Sequence, residues 1–193
     1  YKPNGTFSEI PEEGRDPGFE SARLERALRA VIADIETALE QAGRRGSKGE
    51  EAIFAAHRTL IGDPELLGQA GQLISAGKSA ARAWSSTLRE QCQVFERSGS
   101  ILIAERTADL RDLERQVLCK LLGATITAQR LPEQAILLAE ELTPAELASL
   151  DRTCLAGIVT QRGGPMCHVA IVARGLGIPL LTAVGPEFRF VPE

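Results

Sequence analysis

The sequence predicts an all-α bundle joined to an α/β region, because the spacing of its apolar residues changes near residue 123. Before that point, apolar residues recur every three or four positions, as in amphipathic helices. After it, short apolar runs alternate with helical pieces, which is typical of an α/β fold. These runs are 135–139, 155–160 and 178–184. We expect a helical subdomain over 16–123 and an α/β domain over 124–193, to which 1–15 contributes an N-terminal piece.

The first predicted helix is the longest of the helical region. Asp16 and Pro17 provide its N-cap and a proline at the first helical position. Its apolar stripe consists of Leu24, Leu28, Val31, Ile32, Ile35 and Leu39. Gly43 and Gly46 are expected to break it, because glycine weakens a helix interior.

Four further helices are expected before residue 123. Gly62, Asp63 and Pro64 should end the second helix and cap the third. The second carries Ile53, His57 and Leu60 on one stripe. The fourth is marked by Trp84, Leu88, Cys92 and Phe95, and the fifth by Leu110, Leu113, Val117, Leu118 and Leu121. Short connections between such helices indicate a bundle.

The overall composition limits the classes of protein that fit this chain. At 193 residues and a net charge of −4, it is long enough to bury a core and too acidic for a general nucleic-acid binder. No apolar run approaches the roughly 20 residues that cross a bilayer, and no signal peptide is recognisable. The four cysteines form no CxxC pair and there are two histidines, so we expect no metal site. These features favour a cytoplasmic protein.

The stretch GGPMCH at 163–168 is the most informative part of the sequence. It places His168 between the predicted strand at 155–160 and an amphipathic run that should end at Gly175 or Gly177. At such a helix N-terminus, backbone N–H groups and the helix dipole attract anions. They also favour a neutral, nucleophilic imidazole and would stabilise a phosphate attached to it. The alternative is a structural or merely exposed histidine beside an ordinary turn.

This stretch and its continuation, GGPMCHVAIVARGLGIP, resemble the phosphohistidine signature of the phosphoenolpyruvate-utilising enzymes. That family includes Enzyme I of the sugar phosphotransferase system, pyruvate phosphate dikinase and phosphoenolpyruvate synthase. Three more segments resemble Enzyme I in the expected order, namely 51–66, 105–112 and 139–146. The resemblance is to the N-terminal half of Enzyme I, either stand-alone or in a multiphosphoryl transfer fusion.

The resemblance implies an α/β phosphohistidine (swivelling) domain with an inserted all-α helical bundle subdomain. His168 falls on the phosphorylated position, and Gly163, Gly164 and Cys167 belong to the loop around the phosphate. Thr143 could simply cap a short helix before Pro144. By resemblance, its hydroxyl also contacts the ring of the active histidine.

The resemblance further implies that the helical subdomain binds the small phosphocarrier protein HPr. The corresponding residues are His57, Leu60, Asp63, Glu65 and Arg106. An acidic and apolar face would steer and then bury the basic surface of HPr. The alternative is that the acidic residues form an ordinary solvated face and that His57 is a partly buried helix residue.

Relatives of this kind continue into a barrel domain that binds phosphoenolpyruvate and magnesium. That domain is absent from this sequence, as is the family's opening motif, so we expect a fragment without cofactor whose full-length enzyme uses magnesium. The full-length enzyme would be a phosphoenolpyruvate-protein phosphotransferase, and the missing domain would be a partner of this chain.

Two other functions stay open at this point. Met166 and Cys167 replace the Thr-Ser that is usual in Enzyme I, and a cysteine before the histidine resembles the synthase branch. The chain could therefore be the phosphohistidine domain of a dikinase-like or synthase-like enzyme, although the helical insert argues against this. It could also be a non-catalytic helical interaction module.

Overall fold

The computed structural model describes residues 10–97, 101–123, 131–139, 142, 147, 150, 152–164 and 167–185. Its long helices are α1 (Pro17–Arg45), α2 (Lys48–Ile61), α3 (Pro64–Ser75), α4 (Ala80–Arg97) and α5 (Ile101–Leu122). Then come β1 (Ala135–Ala139), a 3₁₀ turn (Arg152–Cys154), β2 (Leu155–Thr160), α6 (His168–Gly175) and β3 (Leu180–Leu181). The five predicted helices and the helix after the glycine turn are confirmed.

The described residues fall into two compact units. The helical unit contains residues 10–41, 54–97 and 101–123. The α/β unit contains the later described residues together with Ala42–Ile53, the end of α1 and the start of α2. In this grouping the described residues 10–15 and 42–53 lie on the other side of the expected boundaries, which assigned 1–15 to the α/β domain and 16–123 to the helical subdomain; the boundaries themselves stay predictions.

The helical unit has a core of apolar side chains from all five helices. Trp84, Leu88, Leu110 and Leu113 are fully buried in it. Glu20 of α1 is also buried, and its carboxylate accepts hydrogen bonds from the backbone N–H of Ala80 at 2.9 Å and from the guanidinium of Arg23 at 3.1 Å. An acidic side chain from one helix therefore satisfies the N-terminus of another.

The residues before α1 pair with the connection between α3 and α4. The backbone N–H of Gly14 donates to Gly77 O at 2.9 Å, and Glu13 forms an antiparallel bridge with Lys78. The Ser79 hydroxyl donates to the carbonyl of Pro11 and accepts from the backbone N–H of Arg82, so it also caps α4. These contacts explain why residues 10–14 belong to the helical unit.

Within the described residues, the α/β unit has a parallel sheet of three strands in the order β1-β2-β3. Its apolar core contains Leu137 and Ile158 from the sheet and Val169 and Val172 from α6. Ile53, from the start of α2, belongs to the same core. The strands expected at 135–139 and 155–160 are present, and the run at 178–184 contributes only the two residues of β3.

Gly43 does not break α1 as predicted. The helix continues to Arg45, and the residue in the left-handed conformation is Gly46, with a φ of 68°. A helix-interior glycine costs only about 1 kcal/mol relative to alanine. The adjacent Ala42 is fully buried, and packing at that point offsets a cost of this size.

Candidate functional site

His168 is the first residue of α6 and lies at the carboxyl edge of the parallel sheet. β2 ends at Thr160, and residues 161–167 lead from that strand end into the helix. In open α/β sheets, this edge is where ligands bind. His168 is partly exposed.

The base of the loop is held by an extension of the sheet's hydrogen bonds. The backbone N–H of Gln161 donates to Ala139 O at 3.0 Å, and that of Val184 donates to Thr160 O at 3.3 Å. The Thr160 hydroxyl, which is buried, donates to the carbonyl of Arg162 at 2.7 Å. The chain is therefore anchored at the start of the loop, immediately before its two glycines.

Gly163 is required by the shape of the loop. Its φ is 106°, and an added Cβ would lie 3.3 Å from the Sγ of Cys167. Gly164 has open space around it, and its carbonyl accepts from the backbone N–H of Cys167 at 3.1 Å. The two glycines thus have different roles. Gly163 adopts the backbone conformation that the turn requires, and the carbonyl of Gly164 connects the turn to the N-cap residue of α6.

Cys167 is the N-cap residue of α6, with an extended backbone, but its side chain makes no capping hydrogen bond. Serine, threonine, aspartate and asparagine are the usual caps, and each would satisfy an N-terminal backbone N–H. The positive end of the helix dipole and the backbone N–H groups at this end of α6 can therefore bind a negatively charged group. Thr143, expected beside the histidine, lies outside the described residues.

The second histidine, His57, is enclosed in the helical unit. Its ring is fully buried, its Nε2 lies 2.8 Å from Asp109 Oδ1, and its Nδ1 lies 3.6 Å from Asp112 Oδ2. The ring of Phe54 meets it edge-on at 6.3 Å between centroids. His57 is therefore not exposed on a docking face, as the resemblance implied, and its burial agrees with its place on the apolar stripe of α2.

Asp109 and Asp112 are functional candidates that the sequence reasoning did not single out. They lie three residues apart on α5, so they share one face of that helix. Both are buried, and Gln116 also donates to Asp112, at 3.0 Å. The sequence could have indicated them, because both acids lie on the apolar face of a predicted helix. A carboxylate buried there needs a polar partner inside the protein.

The other expected docking residues are accessible. Glu65 and Arg106 are exposed, whereas Leu60 and Asp63 are partly buried. Asp63 caps α3, with its Oδ1 accepting from the backbone N–H of Glu65 at 2.8 Å, as predicted. Arg106 precedes Asp109 by one turn of α5, on the side that carries the contact with His57.

No helix in the described part of the chain is long and apolar enough to cross a membrane.

Comparison with known proteins gives a consistent result. Residues 5–106 match the family described as PEP-utilising enzyme, N-terminal, and residues 131–191 match PEP-utilising enzyme, mobile domain. The chain is 35% identical to a phosphoenolpyruvate-protein phosphotransferase of Haloferax volcanii, over all of this chain and 34% of that protein. It is 34% identical to a multiphosphoryl transfer protein of Rhodobacter capsulatus, over 91% of this chain and 21% of that one. The chain thus spans about a fifth to a third of these relatives.

Solved structures agree with the sequence relatives. The solution structure of Enzyme I (nEIt) superposes with a TM-score of 0.71 and 30% identity, covering 92% of this chain and 74% of that chain. The N-terminal domain of Enzyme 1 - Nitrogen gives a TM-score of 0.69 and 27% identity, covering 91% and 72%. The glycine turn, the helix that starts at His168 and both family matches lead to one conclusion: the chain belongs to the PEP-utilising enzymes and corresponds to the N-terminal part of Enzyme I.

Proposed function

We propose that this chain is the phosphohistidine-carrying part of a phosphoenolpyruvate-protein phosphotransferase. In the full-length enzyme, His168 takes a phosphoryl group from phosphoenolpyruvate and passes it to HPr or an HPr-like carrier. The observation that carries the proposal is the position of a partly exposed histidine as the first residue of α6, at the carboxyl edge of the sheet. The Cys167 side chain does not cap this helix, and the helix end attracts negative charge.

The chemistry needs little from the protein beyond positioning and charge stabilisation. A ring nitrogen of His168 attacks phosphorus with its lone pair as the bond from phosphorus to the enol oxygen breaks. The electron pair of that bond stays on the departing oxygen. In the second step a nitrogen of the carrier's histidine attacks, and the phosphorus–nitrogen bond to His168 breaks. Both bonds are of the same kind, so this second step should be near balance and reversible.

The helical unit is proposed to bind the carrier. Exposed Glu65 and partly exposed Asp63 provide negative charge at the α2–α3 corner, and half-buried Leu60 provides apolar surface beside them. Arg106 is exposed on α5. Opposite charge steers association, and apolar contact then stabilises the complex. In this proposal buried His57 acts indirectly, by joining α2 to α5 through Asp109.

Magnesium belongs, in this proposal, to the barrel domain of the full-length enzyme. Glu50 is the buried carboxylate in the described α/β unit, and it is ion-paired with Arg45 at 2.6 Å. A carboxylate paired with a guanidinium does not fit a magnesium site, since Mg²⁺ binds carboxylates together with waters and substrate phosphates. The domain boundaries and the contact of Thr143 with His168 stay predictions.

The test is transfer of labelled phosphate from phosphorylated HPr to the purified chain. The wild-type chain should acquire acid-labile label, His168→Ala should acquire none, and His57→Gln should be labelled like the wild type. Label on His168→Ala would contradict the proposal and would point to His57, the only other histidine. Absence of label on the folded wild type would favour a non-catalytic module.

A second arm replaces HPr with phosphoenolpyruvate and magnesium, with no other protein present. Because the proposal assigns that donor site to another domain, the chain should stay unlabelled. Stoichiometric labelling of His168 in this arm would show that the chain itself binds the donor. That result would contradict the assignment of phosphoenolpyruvate binding to the barrel domain.

A further inference from the structure

The corner between α1 and α2 belongs to the α/β unit and packs against α6. We call this corner, Ala42–Ile53, the elbow. Ile53 at its end is 6% exposed and shares a core with Val169 and Val172 of α6. The helix that begins with His168 is therefore supported by a segment that lies far before it in the sequence.

Two glycines bring the elbow and α6 closer together than side chains would allow. A Cβ on Gly49 would lie 2.7 Å from Cγ2 of Ile171, in the middle of α6. A Cβ on Gly175, the last residue of α6, would lie 2.9 Å from Glu50 Oε1 and 3.0 Å from Ser47 Oγ. The elbow thus contacts α6 along its length and at its C-terminal end.

The elbow side of this contact is fixed by an ion pair. Glu50 is 1% exposed, and its Oε2 lies 2.6 Å from Arg45 at the end of α1. That bond joins the two helices on either side of the turn at Gly46. The surface that Gly175 meets is therefore held from both sides of the corner.

We propose that the elbow positions His168, with Gly49 and Gly175 as the positioning residues. This inference rests on the proposed function of His168 as the phosphoryl acceptor. α6 is a rod of eight residues with His168 at one end, so a shift imposed in its middle or at its far end moves the imidazole. Carbon atoms prefer separations of about 3.5–4.0 Å, so a methyl at Gly49 must displace Ile171 by roughly 1 Å.

A displacement of that size matters for phosphoryl transfer. Misplacing a reacting group by about 1 Å costs on the order of 100-fold in rate, because in-line attack depends on distance and alignment. Gly49→Ala should therefore slow uptake of phosphate from phosphorylated HPr by roughly 10- to 100-fold. Ile171→Ala removes the atom that the new methyl would meet, so the double variant should recover most of the rate.

The matched control is Gly71→Ala in α3, because a Cβ there meets nothing within 4 Å and Gly71 is not on the helix face that carries Glu65. It adds the same methyl to a helical glycine of the helical unit and should leave the rate unchanged. Gly175→Ala is the second test if Gly49→Ala does not fold, because its methyl would meet atoms at 2.9 and 3.0 Å rather than 2.7 Å and so requires a smaller displacement. Its effect should be several-fold and in the same direction.

The direct readout of position is the NMR signal of the His168 ring in each purified variant. It should shift in Gly49→Ala, return towards the wild type in the double variant and stay unchanged in Gly71→Ala. Wild-type ring signals and uptake rates in folded Gly49→Ala and Gly175→Ala would overturn the positioning role. Ring shifts without any wild-type phosphorylation would instead refute the proposed function and leave the positioning role standing.

Discussion

The two histidines of this chain lie one in each compact unit, and their surroundings differ. His57 is fully buried, with one ring nitrogen 2.8 Å and the other 3.6 Å from a carboxylate oxygen. His168 is partly exposed at the N-terminal end of a helix whose N-cap residue, Cys167, makes no side-chain capping hydrogen bond. A nucleophile needs an accessible lone pair, so this difference in burial supports His168 as the proposed phosphoryl acceptor and a structural role for His57.

The cores of the two units differ in how many charged or polar side chains they bury. The helical unit buries charged or polar side chains such as Glu20, His57, Asp109 and Asp112 beside its apolar residues. The described α/β unit buries fewer such groups, Glu50 and Thr160, beside an aliphatic core. Buried polar groups are costly unless they are bonded, so the stability of the helical unit depends on a few specific pairs.

The largest effect on stability should come from His57→Ala. Removing the ring leaves Asp109 and Asp112 buried without their shared partner, which typically costs about 3–5 kcal/mol. His168→Ala should lower the free energy of unfolding by less than His57→Ala does, because His168 is only partly buried. Chemical denaturation followed by the fluorescence of Trp84, in the core of the helical unit, measures the first effect, and amide hydrogen exchange of β2 and α6 in the α/β unit measures the second.

His57→Gln is the control for this comparison. The glutamine amide can donate to Asp109 in place of Nε2, so part of the lost stability should return. If His57→Ala and His168→Ala proved equally mild, the contrast drawn between the two histidines would be wrong.

Glu20→Gln should have a smaller effect, which depends on pH. Burial raises the pKa of Glu20, but hydrogen bonds from the backbone of Ala80 and Arg15 and the charge of Arg23 outweigh it, so the pKa lies below its usual 4.5. A carboxylate with a lowered pKa stabilises the fold above its usual pKa, and this contribution is lost as the pH falls through the lowered value. Glu20→Gln should cost about 1–2 kcal/mol at pH 7.

The difference between Glu20→Gln and the wild type should shrink as the pH falls below about 4.5, because the wild-type carboxyl then becomes neutral as well. Thermal unfolding of both proteins between pH 3 and pH 7 gives the comparison. A constant difference across that range would show that the charge of Glu20 does not contribute to stability.

The smallest effects on stability are expected at the proposed docking surface. Glu65→Lys should change stability by less than about 0.5 kcal/mol, because the side chain is exposed, yet it should slow association with HPr. Asp63→Asn removes a charge but keeps an N-cap, whereas Asp63→Ala removes both and should cost about 1 kcal/mol.

Association rates at low and high salt separate docking from capping in these variants. Asp63→Asn and Glu65→Lys should slow association most at low salt, where charges are least screened. Rates that match the wild type at every salt concentration would place the carrier elsewhere on the chain.

Much of the fold was predictable because its signals are local. Neighbouring residues alone predict the cap at Asp63, the turn at Gly163 and Gly164, and the alternation of β1, β2 and α6. The glycines at 163 and 164 and the start of α6 placed His168 correctly at a helix N-terminus.

The rest depends on partners that are distant in sequence. Periodicity predicted that Ile53 is buried, but not that it packs with the sheet, since a pattern does not identify the opposing surface. Glu20 could be taken for an ordinary acid in a first turn, whereas it binds the N-terminus of α4. His57 was assigned a surface role by resemblance, and its acidic partners on α5 place it inside.

The presence of Ile53 in the sheet core also bears on the order in which the chain folds. The core of the helical unit involves helices that follow one another closely, and contacts of this kind form quickly. The α/β core must join the elbow to β1, with α3, α4 and α5 lying between them along the chain. Closing that interval costs less entropy once those helices have packed and brought its ends nearer. During synthesis, the helical unit should therefore form before the histidine-bearing unit.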